Sequence, residues 1–327
     1  MIHKSIKIEK GEPTYAAVNP NTNTAYISYE KSNFIIVIDL EKGTIENKIQ
    51  LNCPGNISIN RVTNKVYVSS ANGICEINCV NKQHDMINIG LPHSDGSVDV
   101  NPQTNLLYTT CFGHDVLSVI DAPTQSIVDK IPVGKNPKGV AIDTGANKVY
   151  VTNYDSSSVS IIDSHQSNKI VDTIKFEKKD GTINPSFALV NEFSKILYVK
   201  TDSTENWVVA AAGAGGVWYG SELYVVDIDT KEDINSKTLP FNSEVGFAFN
   251  QRTNQIYMMK RGERSILKFD AFLKEHMGIT TVDKPSLWRR LFGIDIIFFA
   301  EVIAVNPSTN KVYVSDSENN LLYEIDG

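Results

Sequence analysis

Short apolar runs bounded by Asn, Asp, Pro and Gly recur along the whole chain. Ile303-Ala304-Val305, Lys148-Val149-Tyr150-Val151-Thr152 and Val159-Ser160-Ile161-Ile162-Asp163 are examples. Such runs are rich in β-branched and aromatic residues and end in turn formers. They predict short antiparallel strands.

The runs belong to a repeat. An Asn or Asp is followed seven residues later by Tyr in Asn19/Tyr26, Asn60/Tyr67, Asn101/Tyr108, Asp143/Tyr150, Asn191/Tyr198, Asn250/Tyr257 and Asn306/Tyr313. Between them lies a turn suited to Asn, which bonds its own backbone or adopts a left-handed conformation, and to Pro, which presets φ. Each repeat predicts one strand before the turn and three after it, the last exemplified by Ile170–Phe176. The Tyr-to-Tyr spacings are 41, 41, 42, 48, 59 and 56, and the interval from Tyr313 through the C-terminus and on from Met1 to Tyr26 is 40. The pattern therefore closes on itself. The chain stops at Leu321–Asp326, which matches a third strand, and Ser5–Lys10 resembles the fourth strand Thr173–Lys178. The expected fold is all-β: a seven-bladed β-propeller of four-stranded antiparallel blades, its last blade closed by the N-terminal strand. One propeller domain spans 1–327, with insertions at about 201–222 and 272–299.

Tyr150-Val151-Thr152-Asn153, preceded by Asn147-Lys148 and followed by Ser160-Ile161-Ile162-Asp163, resembles the YVTN-repeat β-propeller family. Val66-Tyr67-Val68-Ser69 and Val312-Tyr313-Val314-Ser315 are variants of the same motif. The resemblance covers nearly the whole chain and implies the fold. Members of that family are often exported or on the cell surface, and relatives of the fold include lactonase-like and lyase-like enzymes. The repeat itself carries no catalytic residues.

Composition narrows the function classes. The chain is 41% hydrophobic and 21% charged, as expected of a globular domain. Its net charge of −7 argues against a nucleic-acid partner, which needs a basic footprint. Met1–Gly11 lacks an apolar core and a small-residue cleavage site, so it does not read as a signal peptide. The expected location is cytoplasmic if Met1 is native, and extracytoplasmic or cell-surface if a leader was removed. No apolar stretch has the length of a membrane-spanning helix. Cys53, Cys75, Cys79 and Cys111 form no CxxC pair. On one strand, Cys75 and Cys79 would stand roughly 13 Å apart, too far for a disulfide. Four unpaired cysteines are expected. No phosphate loop, GxSxG elbow or HExxH motif is present, and no cofactor is implied.

Polar residues that repeat are expected to be structural. Asp39, Asp121, Asp163, Asp227, Asp270 and Asp326, with Asn78 in the second repeat, end the third strands and suit turn caps. Departures from the repeat are more informative. Two residues before each turn Asn/Asp stand Ala17, Ser58, Asp99, Ala141, Leu189, Ala248 and Ala304. Asp99 is the outlier, and a carboxylate there needs hydrogen-bond partners or a proton. His93 and Asp95 precede it in a loop, and Cys111, His114 and Asp115 lie in the next loop on the same face. These are Zn²⁺ ligand types, but their spacing matches no metal motif, so solvated side chains are the default reading.

The insertions carry all three tryptophans. Thr201–Glu222 holds Trp207, Trp218 and Tyr219, and Pro285–Phe299 holds Trp288, Arg289 and Arg290, with Ser286–Phe292 expected as a short helix. Long loops on a rigid scaffold commonly bind, and Trp, Tyr and Arg are enriched at binding hot spots. The favoured function is a non-catalytic binding propeller that holds a protein, peptide or glycan partner at the channel mouth. Its contacts are Trp207, Trp218, Tyr219, Trp288, Arg289 and Arg290; His93, Asp99 and His114, expected on the same face but on another side of the ring, complete the candidate binding set. The alternative is a lactonase- or lyase-like enzyme using His93, His114 and Asp99. Membrane contact by Leu287–Phe299 is disfavoured by the net charge.

Overall fold

In the computed structural model of the chain, all seven repeats form four-stranded antiparallel sheets. The structure describes residues 2–90, 96–165, 168–177, 182–203, 207–208, 217–218, 221–239, 247–260, 265–274, 276–281, 302–317 and 319–327. The sheets are the blades of a seven-bladed β-propeller. Internal contacts divide the chain into two compact units, one of Met1–Pro54 with Glu244–Gly327 and one of Gly55–Ser243.

The discontinuous unit holds blades 1, 6 and 7. Blade 1 is built of Tyr15–Asn19, Thr24–Tyr29, Phe34–Asp39 and Thr44–Gln50. In blade 7, Ile303–Asn306, Lys311–Asp316 and Leu321–Asp326 are completed by Ile2–Lys7 as the outer strand. Ile6 stands opposite Leu322, and Lys7 opposite Leu321. Blade 4 has the same register, with Ile174 opposite Val159 and Lys175 opposite Ser158. The likeness between the first residues and an outer strand is thus realised rung for rung. Ile6 and Leu322 are buried in one core with Ile27, Ile36 and Ala304.

The continuous unit holds blades 2 to 5. Its core is laid down between blades: Ile74, Ile87, Val98 and Leu107 in one cluster, Leu117, Ile131, Val140 and Val149 in the next, then Val159, Ile174, Ile183 and Leu197. Alternate residues on each strand face these seams, the period-2 geometry of a strand.

The repeated polar residues take the structural roles expected of them. Asn60 Oδ1 accepts from the backbone N–H of Val62 and Thr63, and Asn306 Oδ1 from Ser308 and Thr309. Each of these first turns then passes through a residue with positive φ: Asn23, Asn64, Asn105, Asn147, Lys195, Asn254 and Asn310. Asparagine tolerates that left-handed conformation better than most residues. At the far turn, Asp39 Oδ1 caps Glu41 and Lys42, and Asp227 Oδ1 caps Asp229 and Thr230. The seven repeated tyrosines are buried, from 0% exposed at Tyr26 to 3% at Tyr313.

Candidate functional site

In the continuous unit, the connections between second and third strands emerge at one end of the blades. Blade 3 supplies Phe112 and Gly113 there, between Leu106–Cys111 and His114–Asp121. Blade 4 supplies the short 3-10 turn Tyr154–Ser156, after Lys148–Asn153. The same end receives the connection into the first strand of blade 4, Pro137–Asp143. Asn136, with a φ of 50°, fastens these segments together. Its Oδ1 accepts from Gly113 N–H at 3.0 Å, its N–H donates to Asp115 Oδ1 at 3.0 Å, and its Nδ2 donates to Asp155 Oδ2.

Three half-buried side chains sit on that framework. Lys138 Nζ lies 5.1 Å from the centre of the Tyr154 ring and 6.0 Å from that of Phe112. The two rings meet edge to face at 6.0 Å. Lys138 makes no ion pair with a carboxylate among the described residues, since Asp115 and Asp155 are engaged by Asn136. The repeat pattern does not predict this patch. Its one sequence signal is an aromatic residue in two successive connections between second and third strands.

Asp99 lies in the first strand of blade 3, Val98–Asn101. Its carboxylate collects donors from three blades. Ser58 Oγ of blade 2 donates to Oδ1 at 2.7 Å, Val100 N–H of its own strand to Oδ1 at 2.9 Å, and Ile142 N–H of blade 4 to Oδ2 at 3.1 Å. The side chain keeps some accessible surface but is enclosed by protein. Loss of hydration pushes its pKa up to about 6, against the opposing pull of those three donors.

Among the described residues, Asp99 and His114 do not come together. Asp99 shares a rung with Tyr108, whereas His114 shares one with Cys111, three residues further along the same second strand. That is about 10 Å of strand, beyond hydrogen-bond reach. Cys111 is buried, and burial raises its pKa, which disfavours the thiolate a metal would need. No three His, Cys, Asp or Glu side chains group as metal ligands among the described residues. All four cysteines are free thiols. His93, Asp95, Tyr219, Trp288, Arg289, Arg290 and the expected helix Ser286–Phe292 lie outside the described residues.

The blade 5 insertion takes a form that the sequence did not suggest. Its arms, Ile196–Ser203 and Ser221–Asp227, pair as far as Asp202 opposite Ser221. Beyond them, Trp207–Val208 and Val217–Trp218 form a separate two-stranded ladder, with Trp207 opposite Trp218. The two tryptophans are therefore direct cross-strand partners.

No family model and no curated protein sequence matches the chain. Among solved structures, a chain of Kuenenia stuttgartiensis hydrazine synthase is similar with a TM-score of 0.73 at 16% identity, over 98% of this chain and 97% of that one. At that identity the likeness concerns the fold. No helix among the described residues is long and apolar enough to cross a membrane.

Proposed function

We propose that this chain is a binding propeller of the YVTN-repeat type that holds a protein, peptide or glycan partner on the connections between second and third strands. The observation that carries the reading is the Trp207–Trp218 rung, in a ladder interposed between the second and third strands of blade 5. Two tryptophans at one rung supply much apolar contact area for little ordering cost. The Phe112–Lys138–Tyr154 patch extends the same chemistry to blades 3 and 4. Tyr219, Trp288, Arg289 and Arg290 are proposed as further contacts, with His93, Asp99 and His114 as further candidate binding residues. The wide separation of the Asp99 and His114 rungs favours binding over a single acid–base centre at those two residues.

The test is capture from extract of the source organism on immobilised wild-type protein and on a Trp207→Ser/Trp218→Ser variant. A species held by the wild type and weakened by about thirtyfold or more in the variant supports the reading, the scale of a hot-spot pair. Equal retention by both, with the variant folded by circular dichroism, overturns it.

A further inference from the structure

The first strands of neighbouring blades are not paired as a sheet, yet in the continuous unit side chains fasten three of them together. Asn56 in blade 2 bonds both backbone groups of Val98: Nδ2 donates to its carbonyl at 2.9 Å, and Oδ1 accepts from its N–H at 2.7 Å. Two residues on, Ser58 Oγ donates to Asp99 Oδ1. The join between blades 2 and 3 is therefore doubled. The join from Asp99 to blade 4 rests on one bond, from Ile142 N–H to Oδ2 at 3.1 Å, while nearer the start of that strand Thr110 Oγ1 of blade 3 donates to the Lys138 carbonyl at 2.7 Å.

We propose that Asp99 is a proton-controlled clamp, which as a carboxylate ties the first strand of blade 4 to that of blade 3 at Ile142 and on protonation releases that stretch, while blades 2 and 3 stay joined and Thr110 still holds Lys138. The asymmetry follows from the donors. Oδ1 already holds Ser58 and Val100, so the proton goes to Oδ2, the oxygen with one donor. A protonated Oδ2 is a hydroxyl, a poorer acceptor whose own hydrogen now competes for the space of the Ile142 N–H. The seam it controls is the one that the Phe112–Lys138–Tyr154 patch straddles.

The surroundings leave the proton to Asp99. The first strand of blade 2, Ile57–Asn60, brings no titratable group. The second strand of blade 2 brings Tyr67 and Lys65, the latter paired with Glu76. The second strand of blade 3 brings Tyr108 and Cys111, both with raised pKa. The first strand of blade 4 brings Lys138 at one end and, at the other, Asp143, paired with Lys195. Glu192, after the first strand of blade 5, is the charge that adds to lost hydration in favouring the protonated form of Asp99.

The experiment is amide hydrogen exchange on the full chain, read by NMR as protection factors at about pH 7.5 and about pH 5, either side of the titration. Ile142 should lose about tenfold in protection at the lower pH while Val98 keeps its own, the scale of one hydrogen bond. In Asp99→Asn the amide Nδ2 cannot accept from Ile142, so Ile142 should be weakly protected at both pH values. Protection of Ile142 that is unchanged across the Asp99 titration, or that still falls in Asp99→Asn, overturns the clamp. Should that variant not fold, Ser58→Ala removes a donor to the charged form and must move the Ile142 midpoint to higher pH. An unmoved midpoint overturns the proposal equally.

Discussion

Asp143 Oδ2 stands 3.3 Å from Lys195 Nζ, in the place where three other pairs of neighbouring blades set one amide against another. Asn60 Nδ2 donates to Asn105 Oδ1 at 2.9 Å, Asn250 to Asn310 at 2.7 Å, and Asn306 to Asn23 at 3.0 Å. In each pair the first residue caps its turn and the second is the left-handed residue of the next blade. Blade 4 has an Asp in the first role and blade 5 a Lys in the second, so the two departures from the repeat answer each other. Asp143 is fully buried, whereas Lys195 is 44% exposed.

That exposure difference sets the outcome of substitution. Lys195→Asn leaves a buried carboxylate without its cation and should cost about 2–4 kcal/mol. Asp143→Asn leaves an ammonium that swings into water and should cost less. The double change to Asn at both positions restores the amide pair and should return stability to within about 1 kcal/mol of wild type. Urea midpoints of the four proteins check the cycle, and additive losses in the double variant count against it.

Ile6 of the N-terminal strand is 1% exposed, while Lys7 beside it faces solvent. Ile6→Ala should cost about 2–5 kcal/mol and Lys7→Ala less than about 0.5. Removal of residues 1–10 should lower the melting temperature further, because it strips blade 7 of its outer strand. A truncated chain that melts like the full one would mean that Ile2–Lys7 contributes nothing to closure.

The sign of the acid dependence follows from Asp99. Its pKa rises from 3.8 to about 6 on folding, so between those values the folded chain holds more proton than the unfolded one. Its contribution to stability therefore grows as pH falls from about 6 to about 4 and is flat above. The difference in urea midpoint between wild type and Asp99→Asn, followed across that range, reads this group alone. A difference that is constant with pH would contradict it.

Cys53 is the one exposed cysteine, while Cys75, Cys79 and Cys111 are buried. Burial pushes the Cys75 thiol up to about 12. A thiol reagent at neutral pH should label one group quickly and the other three only on unfolding. Fast labelling of two or more would show that a seam opens readily.

Much of the fold was legible because each blade repeats the same short-range chemistry. Asn306-Pro307-Ser308-Thr309-Asn310 carries its own cap and its own left-handed residue, so its turn is visible without knowledge of the rest. The outer-strand register of Ser5–Lys7 was visible for the same reason, as a match to Thr173–Lys175. Asp99 stood out as an exception, but its partners did not, because Ser58 and Ile142 are 41 and 43 residues away in sequence. The exchange at Asp143 and Lys195 left a signal at both positions, and only the 3.3 Å contact joins the two. The Trp207–Trp218 rung had no template, since among the described residues no other blade carries a ladder there from which to read the pairing.

The closure of blade 7 also imposes an order of events on folding. His3 and Asp326 touch across 323 residues, whereas blades 2 to 5 form from one continuous stretch. Contacts that distant form slowly, after local ones have shortened the effective loop. The continuous unit can therefore assemble first, and the N-terminal strand docks after everything between it and Leu321–Asp326 is in place. Until it does, Leu321–Asp326 presents a bare row of backbone donors and acceptors. A strand from a second molecule fits that row as well as the chain's own, so the characteristic misfolding hazard of this architecture is strand exchange between copies, and it grows with protein concentration.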